Sequence, residues 1–157
     1  MTQDEVIKEL IRKKQTIALM ESCTGGLLAS AVTDTEGASE IFFGGEVTYS
    51  NEAKIKAGVP QDVIETYGVY SRECAAAMAQ AVQTSFRTDI AIGITGTTGN
   101  TDPNNPGGSI GEAFFCIRIG DVSHDHKITC DPFGMTRHEI KAYYVREVFE
   151  KLKESIS

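Results

Sequence analysis

Thr16 to Met20 is an apolar run of strand length that stops against Glu21-Ser22-Cys23-Thr24-Gly25-Gly26, and a second apolar stretch, Leu27 to Val32, follows at once. A short apolar run, a polar turn with glycines and a further apolar run predict a buried strand, a tight corner and a buried helix. The rest of the chain has to supply neighbours for that strand and cover for that helix.

It does so in order. Val6, Ile7, Leu10 and Ile11 fall at helical spacing between Asp4 and Lys14, with Thr2 and Glu5 as a capping box. Ile41 to Tyr49 is rich in β-branched and aromatic residues and predicts a second strand, broken by Gly44-Gly45. Ser50 or Asn51 caps a short helix holding Ala53, Lys54 and Ile55, and Pro60 and Gly68 bracket another over Gln61 to Tyr67. Ser71 caps a long alanine-rich helix to Phe86, and Asp89 to Thr95 reads as a central strand. Residues 96–108 hold four glycines, two prolines and three asparagines, which excludes regular structure and marks a long functional or disordered loop. Ser109 to Ile119 and Val122 to Cys130 flank Gly120-Asp121 as a hairpin. Thr136 and Glu139 cap a closing helix carrying Ile140, Tyr143, Tyr144, Val148 and Leu152. Helices before, between and after strands predict an α/β fold, a three-layer α/β/α sandwich on a mixed β-sheet, as one domain over residues 1–157.

Composition narrows the function. Fifteen Lys and Arg against 22 Asp and Glu give a net charge of −7, which argues against a nucleic-acid surface. No apolar run has the length of a membrane span, and Met1-Thr2-Gln3-Asp4-Glu5 lacks the features of a secretory signal, so a cytoplasmic location without membrane contact is expected. Cys23, Cys74, Cys116 and Cys130 are scattered, and neither they nor His124, His126 and His138 form a metal-ligand pattern. No metal and no cofactor is expected.

The corner after Met20 carries the most chemical information. A serine at a strand end, above a sheet edge and beside amides with no intrahelical partner, is placed to act as a nucleophile with oxyanion donors near it. Ser22 or Thr24 as a plain helix cap is the alternative. Cys23 is a competing nucleophile, with no histidine near it in sequence to make a thiolate. Thr48-Tyr49-Ser50-Asn51-Glu52-Ala53-Lys54 puts a tyrosine at a strand end and a lysine one helical turn on, over the same edge. Lys54 acts as a base only if desolvation or a nearby cation lowers its pKa, with Tyr49 relaying or orienting the proton; a solvated lysine and an edge tyrosine are the alternative. Gly93 to Asn100 follows a strand and could cradle a ligand or simply turn. Arg137 and Lys141 stand on one face near the start of the last helix, where cations oppose the helix dipole and an anionic ligand would offset them; a salt bridge to the acidic surface is the alternative for either residue.

Together these segments resemble the CinA C-terminal domain family, whose enzymatic members are nicotinamide-nucleotide amidases. The likeness runs through Glu21 to Gly26, Gly37-Ala38-Ser39, Gly45 to Lys54, Gly68 to Ser71, Met78-Ala79, Asp89, Ile94-Thr95-Gly96 and Arg137 to Lys141. It implies an α/β/α fold and metal-free hydrolysis of nicotinamide mononucleotide to nicotinate mononucleotide plus ammonia, in pyridine nucleotide recycling. Ser22 is implied as nucleophile, Lys54 as general base and Tyr49 as their partner. Cys23, Thr24, Gly25, Gly26, Asn51, Thr95, Gly96, Arg137 and Lys141 are implied as substrate-binding positions, Arg137 toward a phosphate.

Two departures bear on substrate. The family follows its Thr-Gly step with Ala-Gly-Pro, a Gly-Gly pair, Lys-Pro and Gly-Thr-Val, whereas Thr97 to Gly111 is rebuilt; a second family arginine is Lys141 here. The pyrophosphatase-type domain of full-length members is missing from this chain, so no metal-dependent activity is expected. Alternatives to the nucleotide amidase are an amidase for another amide and a catalytically silent nucleotide-binding regulatory module. The expected partners are a small nucleotide substrate and further copies of the chain in a homo-oligomer.

Overall fold

In a computed structural model, residues 1–156 are described; Ser157, the last residue of the expected domain, lies outside them. The elements are α1 (Gln3–Lys13), β1 (Ile17–Glu21), α2 (Leu27–Thr33), a single 3₁₀ turn (Ala38–Glu40), β2 (Phe42–Val47), α3 (Asn51–Lys56), α4 (Gln61–Tyr67), α5 (Arg72–Phe86), β3 (Ile90–Gly96), β4 (Glu112–Ile119), β5 (Val122–Thr129) and α6 (Arg137–Ile156). The five strands form one mixed sheet in the order β2-β1-β3-β4-β5. β1 runs parallel to β2 and β3, and the β3–β4 and β4–β5 pairs are antiparallel. This is the α/β/α sandwich expected.

The period-2 alternation of the strands splits the core in two. Ile17 and Leu19 of β1 point into one layer with Ile90, Ile92 and Ile94 of β3, against α1, α2 and α6. Ala18, Met20 and Ala91 point to the other, where Ala75, Met78, Ala79 and Val82 of α5 cover them. Small residues bring α5 close: a Cβ on Gly93 would lie 2.4 Å from the Ala75 carbonyl.

Most element ends fall within a residue or two of the expectation, and two departures turn on a glycine. β2 runs straight through Gly44-Gly45, because Gly45 lets it pass β1 closely where the register slips between Ile17 and Leu19. A Cβ there would stand 2.4 Å from the Leu19 carbonyl oxygen. β4 begins at Glu112 and not at Ser109, since Gly111 turns at φ +73° with a Cβ position 2.0 Å from the Cys130 carbonyl oxygen. Among the described residues no helix is long and apolar enough to cross a membrane.

Candidate active site

Three parallel strands end on one edge of the sheet, and the side chains of interest follow those ends. β1 delivers Ser22, pinned by its amide donating to the Ile94 carbonyl at 3.1 Å. The turn then closes through Gly25 and Gly26, at φ +60° and +103°, with the Gly25 amide donating to the Ser22 carbonyl and the Leu27 amide to that of Thr24. Those two amides are spent, so the donors left to face an oxyanion in this turn are those of Cys23, Thr24 and Gly26.

Glu21 holds the corner from beneath. It is 1% exposed and accepts from the Thr24 hydroxyl at 2.6 Å and from the Leu28 and Ala29 amides at 2.8 and 2.9 Å. Gly26, at the N-cap of α2, has no side chain to offer, and this carboxylate does the capping from the strand. The sequence reading passed over Glu21; its signal was an acid closing an otherwise apolar strand just ahead of a helix start.

β2 leads through Thr48 and Tyr49 into α3, capped by Ser50, whose hydroxyl accepts from the Ala53 amide at 3.1 Å. That short helix buries one residue, Lys54, which is 2% exposed. Its Nζ donates to the Thr48 carbonyl at 2.9 Å and stands 3.0 Å from Ser22 Oγ. Burial lowers the Lys54 pKa below its ordinary range, against a weaker opposing pull from Cys74, Cys23 and Asp102. Burial, with Glu21 adding to it, pushes the Cys23 thiol up to about 12. Of the two candidate nucleophiles, then, the serine has a base in contact and the cysteine stays protonated.

Tyr49 is placed differently from the expectation. It is 64% exposed, and its hydroxyl accepts from Arg137 Nη2 at 3.2 Å; the position beside Lys54 is taken by the Thr48 carbonyl. Arg137 also donates through Nη1 to Asn100 Oδ1, so it ties α6 to β2 and to the loop after β3. None of this pairing, across 88 residues, was visible in sequence.

The cavity over this edge measures about 640 Å³, lined among others by Ser22, Cys23, Tyr49, Asn51, Lys54, Thr95, Gly96 and Arg137. Thr95 is buried and its hydroxyl donates to the Val69 carbonyl at 2.9 Å, which fixes the approach to α5. Thr24, Gly25, Gly26 and Lys141, expected at substrate, do not line the cavity. The Thr24 hydroxyl is turned to Glu21, and Lys141 Nζ lies over the turn, 3.9 Å from where a Gly25 Cβ would be.

The loop facing Ser22 is ordered around one side chain. Asp102 accepts from the Asn104 amide and from Asn105 Nδ2, both at 2.9 Å, and Asn105 Oδ1 accepts from Asn51 Nδ2 at 2.9 Å. Asn51 Oδ1 is buried without a partner. Asp102, Asn105 and Tyr70 line the cavity and none was singled out as a site residue from sequence, where the loop stood out only by its count of glycines, prolines and asparagines. Among the described residues no histidine lines it, and no cluster of His, Cys, Asp and Glu is arranged to hold a metal.

A family model described as the CinA C-terminal domain matches residues 1–156. A putative competence-damage inducible protein of Clostridium perfringens is 45% identical over 163 aligned positions, covering 99% of this chain and 37% of that protein. The Protein MG115 homolog of Mycoplasma pneumoniae is 34% identical, over 97% of this chain and 95% of its own length. The chain thus spans little more than a third of the clostridial relative and nearly all of the mycoplasmal one. Among solved structures, a competence/damage inducible protein of Agrobacterium tumefaciens superposes with a TM-score of 0.83 at 29% identity, over 97% of this chain and 94% of that one.

Proposed function

The chain belongs to the CinA C-terminal domain family, and from that premise we propose that it is a nicotinamide mononucleotide amidase working through a Ser-Lys acyl-enzyme. The observation that carries this reading is the buried contact of 3.0 Å between Lys54 Nζ and Ser22 Oγ. Lysine is a base only when neutral, and the desolvation that lowers its pKa favours that form. With one N–H given to the Thr48 carbonyl, the neutral amine is free to turn its lone pair to the serine 3.0 Å away.

Lys54 takes the Ser22 proton as the oxygen attacks the carboxamide carbon. The oxyanion is held by turn amides at Cys23 and Thr24; on collapse the Lys54 ammonium gives the Ser22 proton to the leaving nitrogen, which departs as ammonia. Water, deprotonated by Lys54 in the same way, then releases the acid and frees Ser22. Arg137 receives the phosphate, in the position its charge and its fork of donors suit, and Tyr49 holds that arginine in place. The loop from Thr97 to Gly111, which departs from the family pattern, favours a second reading, the same chemistry on a different amide.

The test is ammonia release from nicotinamide mononucleotide by the purified protein beside Ser22→Ala and Lys54→Ala. Turnover falls by roughly 10³-fold or more in both variants. Folded protein that releases no ammonia from this nucleotide, yet does so from another amide, supports the second reading; inertness toward a broad amide panel sinks both.

A further inference from the structure

We propose that Asp102 is a specificity-determining residue of this cavity, which selects amides built on a scaffold with a fixed positive charge; the inference rests on the amidase reading above. Asp102 lines the same cavity as Ser22, Lys54 and Arg137. Each of its oxygens takes one hydrogen bond from its own loop, and Asn105 passes the tether on to Asn51 at the start of α3. The carboxylate is therefore held in place and kept ionised, with its pKa lowered by those two donors. Yet among the described residues no lysine or arginine comes within ion-pair distance of it. A half-buried carboxylate oriented by its own loop in the wall of a cavity, with no cation of this chain in contact, is placed to meet a cation that arrives with the ligand.

The opposite charge stands at Arg137. A cavity with a guanidinium and a carboxylate on its walls fits a ligand with an anion at one end and a cation at the other, and disfavours one with either charge missing. A pyridinium ring carrying a carboxamide and a ribose phosphate is such a ligand.

The same carboxylate acts on the base. The groups that pull Lys54 toward its ammonium form are Cys74, Cys23 and Asp102, and of these the two thiols are held neutral, their pKa values raised to about 11 and about 12. Asp102 is the charged one. A cation bound against it cancels that pull and lets Lys54 shed its proton more readily, so the charged ligand sharpens the base that attacks it.

The experiment uses pairs that differ in ring charge. Nicotinamide mononucleotide and its 1,4-dihydro form, and N1-methylnicotinamide and nicotinamide, are titrated calorimetrically into Ser22→Ala and into Ser22→Ala with Asp102→Asn. The cation binds about tenfold more tightly than its neutral partner in the first protein. In the second the preference falls to about twofold or less through loss of cation affinity, while the neutral partner binds as before. Asparagine keeps an oxygen for the Asn104 amide, so the turn survives. In protein with Ser22 intact, Asp102→Asn also moves the limb of kcat/KM that reports Lys54 to lower pH. A preference that persists in the doubly substituted protein, equal weakening of both partners, or no charge preference in either pair overturns the proposal. If only the methylnicotinamide pair behaves as described and neither nucleotide binds, the charge reading stands and the nucleotide reading falls.

Discussion

The turn that carries Ser22 and the loop that carries Asp102 face each other across one cavity, and they are held by different means. In the turn the fixing side chains are interior: Glu21 and Thr24 are 1% and 0% exposed, and their bonds run to each other and to the first turn of α2. The loop has a buried anchor at its base, where Tyr144 donates to the Thr97 carbonyl at 2.8 Å and Thr97 and Thr98 are buried; its other ties, Asn105 to Asn51 and Asn100 to Arg137, are half-buried or exposed. Its tip, from Asp102 to Asn105, is half-buried or exposed and coheres through asparagine amides. Hydrogen bonds in a dry setting are costly to lose, and those at a wet tip exchange with water. Ser22 therefore sits on the part of the cavity that resists change, and Asp102 on the part that tolerates it.

Breaking the buried side has the larger effect. Glu21→Ala strands a hydroxyl and two amides and costs about 2–4 kcal/mol of stability, read as a lower urea midpoint; Glu21→Gln, with one oxygen left, costs less.

Lys54→Met goes the other way, removing turnover while raising stability by about 1–2 kcal/mol at neutral pH, since an apolar side chain of like length replaces a desolvated amine. The pH dependence fixes the cause. The folded pKa of Lys54 lies below the unfolded value of 10.5, so the unfolded chain binds more protons in the window between them and native stability rises with pH there. The advantage of the methionine variant shrinks as pH climbs through that window, and denaturant titrations at pH 7 and pH 10 measure it.

The smallest effect is at the tip: Asn105→Ala shifts stability by less than about 0.5 kcal/mol. A large drop in the urea midpoint for that variant would erase the contrast between the two regions.

How much of this was legible in sequence follows the same division. The corner after Met20 was readable because strand, turn and helix each carry a local signature, and the capping boxes at Thr2 and Thr136 are bonded as written. The burial of Lys54 was not. In Asn51–Lys56 the pattern alone would turn Ile55 inward, yet Ile55 is 38% exposed and the lysine is the buried side chain, because α3 is set by its link to β2 and not by its own apolar face. The resemblance implies Tyr49 as partner of Ser22 and Lys54, and chain spacing places it over the same edge, while its hydroxyl bond is to an arginine 88 residues away. Glycines at 44 and 45 looked like breakers, since nothing local says that a neighbouring carbonyl needs the space of a missing Cβ. The loop's composition excluded regular structure, but order through Asp102 depends on where Asn51 comes to lie.

One consequence of the Cys23 environment lies in chemoselectivity. In water sulfur outruns oxygen toward nearly any electrophile, because a thiol ionises far more easily than an alcohol. Next to Ser22 that order is reversed: the thiol is held protonated, with a pKa of about 12, while the alcohol beside it touches an amine. A reactive acyl or phosphonyl group entering the cavity meets an oxygen that is primed and a sulfur that is mute. Oxidants that convert exposed thiolates to sulfenic acids find little to act on at Cys23, in a chain with four free cysteines.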